Sequence, residues 1–435
     1  PFWYREGITY NSITSSAFSA RYLPAGCVYD KGGPSLHPQG SYLPLVLALL
    51  NSSVANAVFF LLNPTLNFQV QDVKRMPLPN IDAHDPELSQ RVDTLVGAAK
   101  DDWDSSEASM DFEGHPLLAF CANTLNDAFD TWCRNSGERR QTLQSLETEN
   151  NIFFSQAFGL GQEFADNIPA DALALFCRDR QDDLKQLLSY AIGCMMGRYS
   201  LDEPGLIYAH SGNEGFDPSK YQQFAADEDG IVPLTGFHWF EDDAAKRFET
   251  FIATAWPEEH LQENLKFVAE SLGARKGESP RETIRRYLAS DFFKDHLHKY
   301  KGPKHPPRPI YWLFSSGRER GFQALVYLHR YNEGTLSRMR TEYVIPLLGK
   351  IAARIDQLTD DIAGATSSQH RKRLEKEKAT LTKQLAEVQS YDEKLRHYAD
   401  QRITLDLDDG VKVNYGKFGD LLAEVKVVTG KKPEA

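Results

Sequence analysis

IAARIDQLTDDIAGATSSQHRKRLEKEKATLTKQLAEVQSYDEKLRHYAD, residues 351–400, is the stretch that decides the architecture of this chain. Ile351, Ile355, Leu358 and Ile362 recur at intervals of four, three and four, which lines apolar side chains along one helix face. After a break at residues 364–368, Leu374, Leu381, Leu385, Val388, Leu395 and Tyr398 repeat the pattern. Two such helices joined by a short break read as an antiparallel hairpin with a coiled-coil-like seam. Pro346 lacks an amide hydrogen and so starts or kinks the first arm. Few other positions between Gly334 and Asp400 are apolar, so the hairpin is expected to be a separable structural spacer, with a direct role in DNA contact as the alternative.

Upstream the pattern changes repeatedly. Residues 1–41 hold short β-prone runs, Ile8–Tyr10, Phe18–Tyr22 and Cys27–Tyr29, punctuated by glycines. Residues 42–62 predict two helices meeting near Asn51–Ser53, and Asn63-Pro64 ends the second. A short amphipathic segment, Val70–Met76, stops at Pro77 and Pro79. Residues 81–150 are polar and helix-prone, with Leu88, Val92, Leu95 and Val96 at helical spacing. Residues 151–333 are mixed, with a helix over Gln181–Met196 and strands over Gly230–Leu234 and Pro309–Phe314. The tail, residues 403–435, predicts short strands and a helix around Asp408-Asp409-Gly410. The fold class is mixed α+β and helix-rich, with expected divisions at residues 1–80, 81–150, 151–333, 334–402 and 403–435.

A chain of 435 residues with 41% hydrophobic content has room for two to four domains. The net charge of −12 argues against a surface basic all over, but not against a local basic face. Cys27, Cys121, Cys133, Cys177 and Cys194 form no C-x-x-C pair and are odd in number, which reads as reduced, cytosolic thiols. The most apolar stretch, Leu43–Leu62, is broken by Asn51, Ser52, Ser53 and Asn56, so core helices are expected there and no membrane span. Pro1-Phe2-Trp3-Tyr4 opens abruptly in apolar residues, and the chain reads as a piece of a longer protein.

Motifs for catalysis are incomplete. Amino-methyltransferases use Asp/Asn-Pro-Pro-aromatic, whose oxygens accept from the target amine and whose ring stacks on the flipped base. Asn63-Pro64-Thr65-Leu66 lacks the second proline and the aromatic, and reads as a helix stop. Gly159-Leu160-Gly161 has no buried strand leading into it, as a nucleotide-cradling loop needs. His296, His298 and His305 match no zinc spacing and lie among lysines, so no metal is expected. Glu241-Asp242-Asp243 suits the positive end of a helix. No catalytic and no cofactor-binding residue is assigned.

Two regions carry residues suited to DNA. Between Arg275 and Arg308 cations outnumber acids, and Lys299, Lys301, Lys304 and Arg308 are the candidate phosphate contacts. Arg5, Asn11, Ser12, Thr14, Ser16, Ser19 and Arg21 are crowded into the N-terminal strands and turns. Arginine can grip guanine and asparagine adenine through paired hydrogen bonds. The plain alternatives are a solvated face balancing its own acids, and polar surface with no ligand.

Longer stretches carry a resemblance. Arg5-Glu6-Gly7-Ile8-Thr9, Phe18-Ser19-Ala20-Arg21-Tyr22-Leu23-Pro24, Leu49-Leu50-Asn51-Ser52, Asn63-Pro64-Thr65-Leu66-Asn67-Phe68-Gln69 and Met76-Pro77-Leu78-Pro79 look like the closing half of a target-recognition domain. Tyr190–Asp202, Arg308–Ser316, Tyr327–Tyr331 and Tyr391–Asp400 are similar to further family stretches. Together they resemble PglX, the adenine-specific methyltransferases of BREX phage-defence systems. The resemblance implies that residues 1–80 are the C-terminal part of a target-recognition domain. It also implies a partner in double-stranded DNA, docking to other BREX subunits, and a methyltransferase domain N-terminal to Pro1. That domain would hold S-adenosylmethionine and the catalytic motif, so this chain alone is expected to be inactive. The alternative is a non-catalytic scaffold that docks other defence subunits.

Overall fold

The computed structural model describes residues 2–14, 17–161, 163, 164, 168, 173, 175, 178–302 and 305–430. Ser15, Ser16 and Lys304 lie outside them, as does Cys177. The chain divides into two compact units, Pro1–Asp104 with Cys133–Cys177, and Ser105–Trp132 with Arg178–Ala435. The expected division at residue 334 therefore falls inside the second unit, and that at 150 falls inside a helix.

The first unit opens with a three-stranded antiparallel sheet of β1 (Gly7–Tyr10), β2 (Ala20–Leu23) and β3 (Ser35–Leu36), in the order β2-β1-β3. Cys27–Tyr29 is not a strand; the third place is taken by Ser35–Leu36, and Cys27 meets Tyr4 through one backbone bond. Helices α1 (Tyr42–Leu50) and α2 (Ser53–Leu62) follow, bent by 69° at the Asn51–Ser52 break. Ser52 makes the break, because its side chain caps α2 by accepting from the Ala55 amide. Short α3 (Val70–Lys74), long α4 (Pro86–Asp104) and residues 133–157 of α5 (Leu125–Ala157) complete the unit. Tyr10, Phe18, Phe59 and Phe68 pack ring on ring in its core, with Phe18 and Phe59 centroids 4.4 Å apart. No single described helix is long and apolar enough to cross a membrane, and the apolar faces of α1 and α2 belong to this core.

The second unit is built around α6 (Arg180–Met195), which is buried from Leu187 to Met195. Gly193 is required there, since a Cβ would lie 2.4 Å from the Tyr199 ring. A second antiparallel sheet consists of β4 (Ile231–Pro233), β5 (Tyr311–Ser315) and β6 (Gln323–Tyr327), in the order β4-β6-β5. Every residue of these strands is buried. Helices α7 (Ala244–Ala255), α8 (Leu261–Ser271), α9 (Pro280–Ser290) and α10 (Phe292–Lys299) lie between β4 and β5 in the chain. Asp243, from the acidic triplet, caps α7 through the Lys246 amide.

The hairpin forms as the periodicity predicts. After α11 (Thr335–Arg338) and a π-helical turn over Met339–Val344, α12 (Ile345–Gly364) runs out and α13 (Ser368–Asp400) returns. Pro346 sits in the first turn of α12. Ile351 and Leu358 are fully buried against a seam of Leu374, Leu381, Val388 and Leu395, whereas Ile355, Ile362, Leu385 and Tyr398 are half-buried. The hairpin also makes contacts beyond its own seam. Glu387 accepts from the Ser316 hydroxyl at 2.6 Å, the Glu319 amide at 2.6 Å and the Gly321 amide at 3.2 Å. Gly321 lies so close that a Cβ would meet Val388 at 2.6 Å. The second half of α13 thus holds the β5–β6 turn. The tail also differs, forming α14 (Gly410–Gly416) and α15 (Val425–Thr429) in place of strands. It packs Tyr415 and Phe418 edge-on to Trp312 and bonds the Ala423 amide to the Leu313 carbonyl at 2.8 Å.

Candidate nucleic-acid interface

In the first sheet, antiparallel register sets the two faces. Ile8, Tyr10 and Ala20 point into the core, so Thr9, Arg21 and Ser35, which pair with one another across the strands, lie on the opposite face. Arg21 is exposed there, and its guanidinium meets the Asn11 amide oxygen at 3.5 Å. Among the described residues it makes no ion pair, so its charge is not consumed by the unit's own acids. The strand that presents Arg21 is fixed from behind. Asn51 accepts from the Ala20 amide at 3.0 Å and donates to the Ala20 carbonyl at 3.1 Å, acting as a substitute strand neighbour.

The other N-terminal candidates are less concentrated. Arg5 is exposed, with its guanidinium 5.8 Å from the Phe2 ring centroid. The Ser12 hydroxyl donates to the Gly32 carbonyl at 3.3 Å, and the Thr14 amide bonds the Leu66 carbonyl at 3.0 Å. Ser19 is exposed at the entry to β2. Beside these polar groups Ile13, Phe60, Leu61 and Leu66 expose between 60% and 81% of their surface.

The basic island of the second unit is largely neutralised by its own neighbours. Arg281 grips Glu249, Arg285 grips Asp243, and Arg286 grips Glu278, each with a contact of 2.7–2.8 Å. Lys299 turns inward to Glu107 at 2.9 Å, with only 18% of its side chain exposed. Burial opposes charge on Glu107, but Lys299, Arg198 and the Ser189 hydroxyl outweigh it and hold the carboxyl below its ordinary range. Lys299 is thus engaged in a buried pair in this structure. Lys301 and Arg308 remain exposed. The sequence could not separate these cases, because pairing partners such as Glu107, Asp243 and Glu249 lie far away in the chain.

The motifs set aside for catalysis prove structural. Asn63 closes α2 and uses its amide on the Asn67 carbonyl and on Asp72, at 2.8 and 2.7 Å. Gly159 and Gly161 form a left-handed turn after α5, at φ of +69° and +63°, with no strand before them. His296 accepts the Ile310 and Tyr311 amides on Nε2, both at 3.1 Å, and burial pushes its pKa down to about 3. Among the described residues no group of three or more His, Cys, Asp or Glu side chains is placed to hold a metal ion.

Fold and site together define a helix-rich α+β chain that exposes a polar sheet face carrying Arg21. Over its whole length the chain is 43% identical to the adenine-specific methyltransferase BrxX of Escherichia coli O9:H4 (strain HS). It is 39% identical, over 98% of its length, to the adenine-specific methyltransferase PglX of Lacticaseibacillus casei (strain Zhang). The chain spans 37% and 35% of the length of these two relatives. No protein-family model matches it. The chain is a homologue of one region of these adenine-specific methyltransferases.

Proposed function

We propose that the chain is the DNA-reading and scaffold portion of a site-specific adenine-N6 DNA methyltransferase of a BREX phage-defence system. The homology over the full chain carries this reading, and the Asn11–Arg21 pair on an open sheet face gives it a physical basis. An exposed arginine beside an amide is suited to base edges in the major groove. Lys301 and Arg308, and Lys304 beside them in sequence, would hold phosphates. The methyltransferase domain, with S-adenosylmethionine and the catalytic motif, would belong to the remainder of the polypeptide. This portion would then methylate nothing by itself, and would work in the bacterial cytoplasm.

A second reading is favoured by the exposed Ile13, Phe60, Leu61 and Leu66, which suit a protein partner such as the methyltransferase domain or another BREX subunit. The experiment that separates the two is duplex binding by the purified chain across a salt series. It should bind DNA in a salt-dependent way, and more tightly to a duplex carrying the methylation site. Arg21→Ala should reduce that preference by about 1–3 kcal/mol at one base pair. Absence of any DNA binding would leave the scaffold reading in its place.

A further inference from the structure

Cations with no partner also lie outside the basic island. Lys372, Lys376 and Lys383 are exposed on the first half of α13. At 100° per residue, their spacing of four and seven puts them on one stripe, facing away from the seam of Leu374, Leu381 and Val388. The stripe runs about 16 Å at ~1.5 Å per residue, with its charges about 6 and about 10 Å apart along the axis. Their ammonium groups make no ion pair or hydrogen bond among the described residues.

Neighbouring charges are accounted for. Glu377 of the same helix is turned to Arg354 at 2.8 Å, and Lys378 to the Thr359 hydroxyl at 2.8 Å. Arg373 lies in the field of Glu282, and Glu375 is the exposed acid nearest in sequence. Of the hairpin's unpaired acids, Glu375 and Glu393 are exposed on α13, while Asp356 and Asp360 are on α12 and on the face away from its buried Ile351 and Leu358. Packing the two seams together puts Asp356 and Asp360 on the opposite side of the hairpin from the lysine stripe. A chain of net charge −12 thus keeps a stripe of three unpaired lysines on this edge, flanked by one exposed acid, Glu375.

We propose that this edge is a second DNA contact, which grips the phosphate backbone without reading sequence. Duplex DNA carries one negative charge per about 1.7 Å of axis, so phosphates are available to each lysine along a stripe of this length. Lysines are flexible point charges that suit phosphates rather than base edges. A rigid helical edge anchored at its root by Glu387 would hold them in line. The inference rests on the DNA reading proposed above, and deepens it by assigning the hairpin a role beyond spacing.

The test is duplex binding by the full chain and by Lys372→Gln/Lys376→Gln/Lys383→Gln, with affinity measured against salt. The variant should bind cognate and scrambled duplexes equally more weakly. Its log–log salt slope should fall by about 2.7, at ~0.9 for each phosphate no longer neutralised. Replacing the same residues by arginine should restore the slope. An unchanged slope in the glutamine variant, with sequence preference intact, would overturn this inference and leave the DNA reading standing. If the unaltered chain shows no salt-dependent binding, the DNA reading fails and the stripe fails with it. Thermal unfolding of the variant should match the parent, since none of the substituted side chains is buried.

Discussion

Asn51, at the break between α1 and α2, holds both the amide and the carbonyl of Ala20, one residue before Arg21. Its amide also donates to the Leu47 carbonyl at 3.0 Å, which fixes the side chain to the end of α1. The strand that presents Arg21 is therefore tied to the helical layer beneath it. Asn51→Ala removes these bonds and leaves the outer edge of β2 to water. The expected loss is about 1–2 kcal/mol, since the net value of each bond is near 1 kcal/mol and water replaces part of it. Denaturant unfolding of the chain measures this, and no shift in midpoint would mean that Ala20 is held by the sheet alone.

The root of the hairpin should be far less tolerant than its tip. Glu387→Ala leaves the Glu319 and Gly321 amides and the Ser316 hydroxyl without their carboxylate. Hydrogen bonds to a charged group contribute about 1.5–3 kcal/mol each, and water reaching the part-exposed amides and hydroxyl offsets part of the three, so a loss of about 2–4 kcal/mol is expected. Shortening the tip around residues 362–370 should leave the unfolding midpoint nearly unchanged. Equal sensitivity at both ends would show that the seam, and not the Glu387 clamp, anchors the hairpin.

The contrast between tip and root also marks what was legible in the sequence. Helical periodicity over residues 351–398 gave the hairpin correctly, and Asn51–Ser53 and Asn63-Pro64 marked the ends of α1 and α2. Strand β6, Gln323–Tyr327, carries no alternation because both of its faces are buried, so a period of two never appears. In the tail Leu422 makes only an isolated β-bridge to Phe314, and the rest forms helices and turns that pack on Trp312. Of the candidate site, Asn11 and Arg21 were readable as residue types, and their meeting on one face needed the β1–β2 register. The inward turn of Lys299 was not readable, because Glu107 belongs to a segment nearly two hundred positions earlier.

His296 supplies a pH dependence with a definite sign. Its Nε2 accepts two backbone amides, so the proton sits on Nδ1 and the buried ring stays neutral. Burial lowers its pKa from 6.5 to about 3. Between these values the unfolded chain carries one more proton than the folded one, so this residue's contribution to stability falls as pH falls below 6.5. His296→Gln, whose amide oxygen can accept the same bonds, removes that dependence, while His115, also buried and pushed down to about 3, retains its own. The difference in stability between the two proteins should change by up to about 1.4 kcal/mol per pH unit across this acidic range. Parallel stability–pH curves from pH ~6.5 to ~4.5 would contradict it.

The last prediction separates structural cations from DNA-holding ones within the same basic island. Lys299 is paired to a buried Glu107, and removing it as Lys299→Met leaves that carboxylate without its nearest cation. Breaking a buried pair from one side costs about 3–5 kcal/mol, so the melting temperature should drop sharply. Arg198 and the Ser189 hydroxyl remain near Glu107 and should keep the loss toward the lower end. Lys301 and Arg308 are exposed, so Lys301→Gln and Arg308→Gln should leave stability within about 0.5 kcal/mol. Each should instead lower the salt slope of duplex binding by ~0.9 if it holds a phosphate. Lys299→Met, measured below its melting temperature, should keep the parent's slope. A slope lowered by Lys299→Met but not by the exposed pair would mean that Lys299 leaves Glu107 to reach DNA, and that the inward pairing belongs to the unbound protein alone.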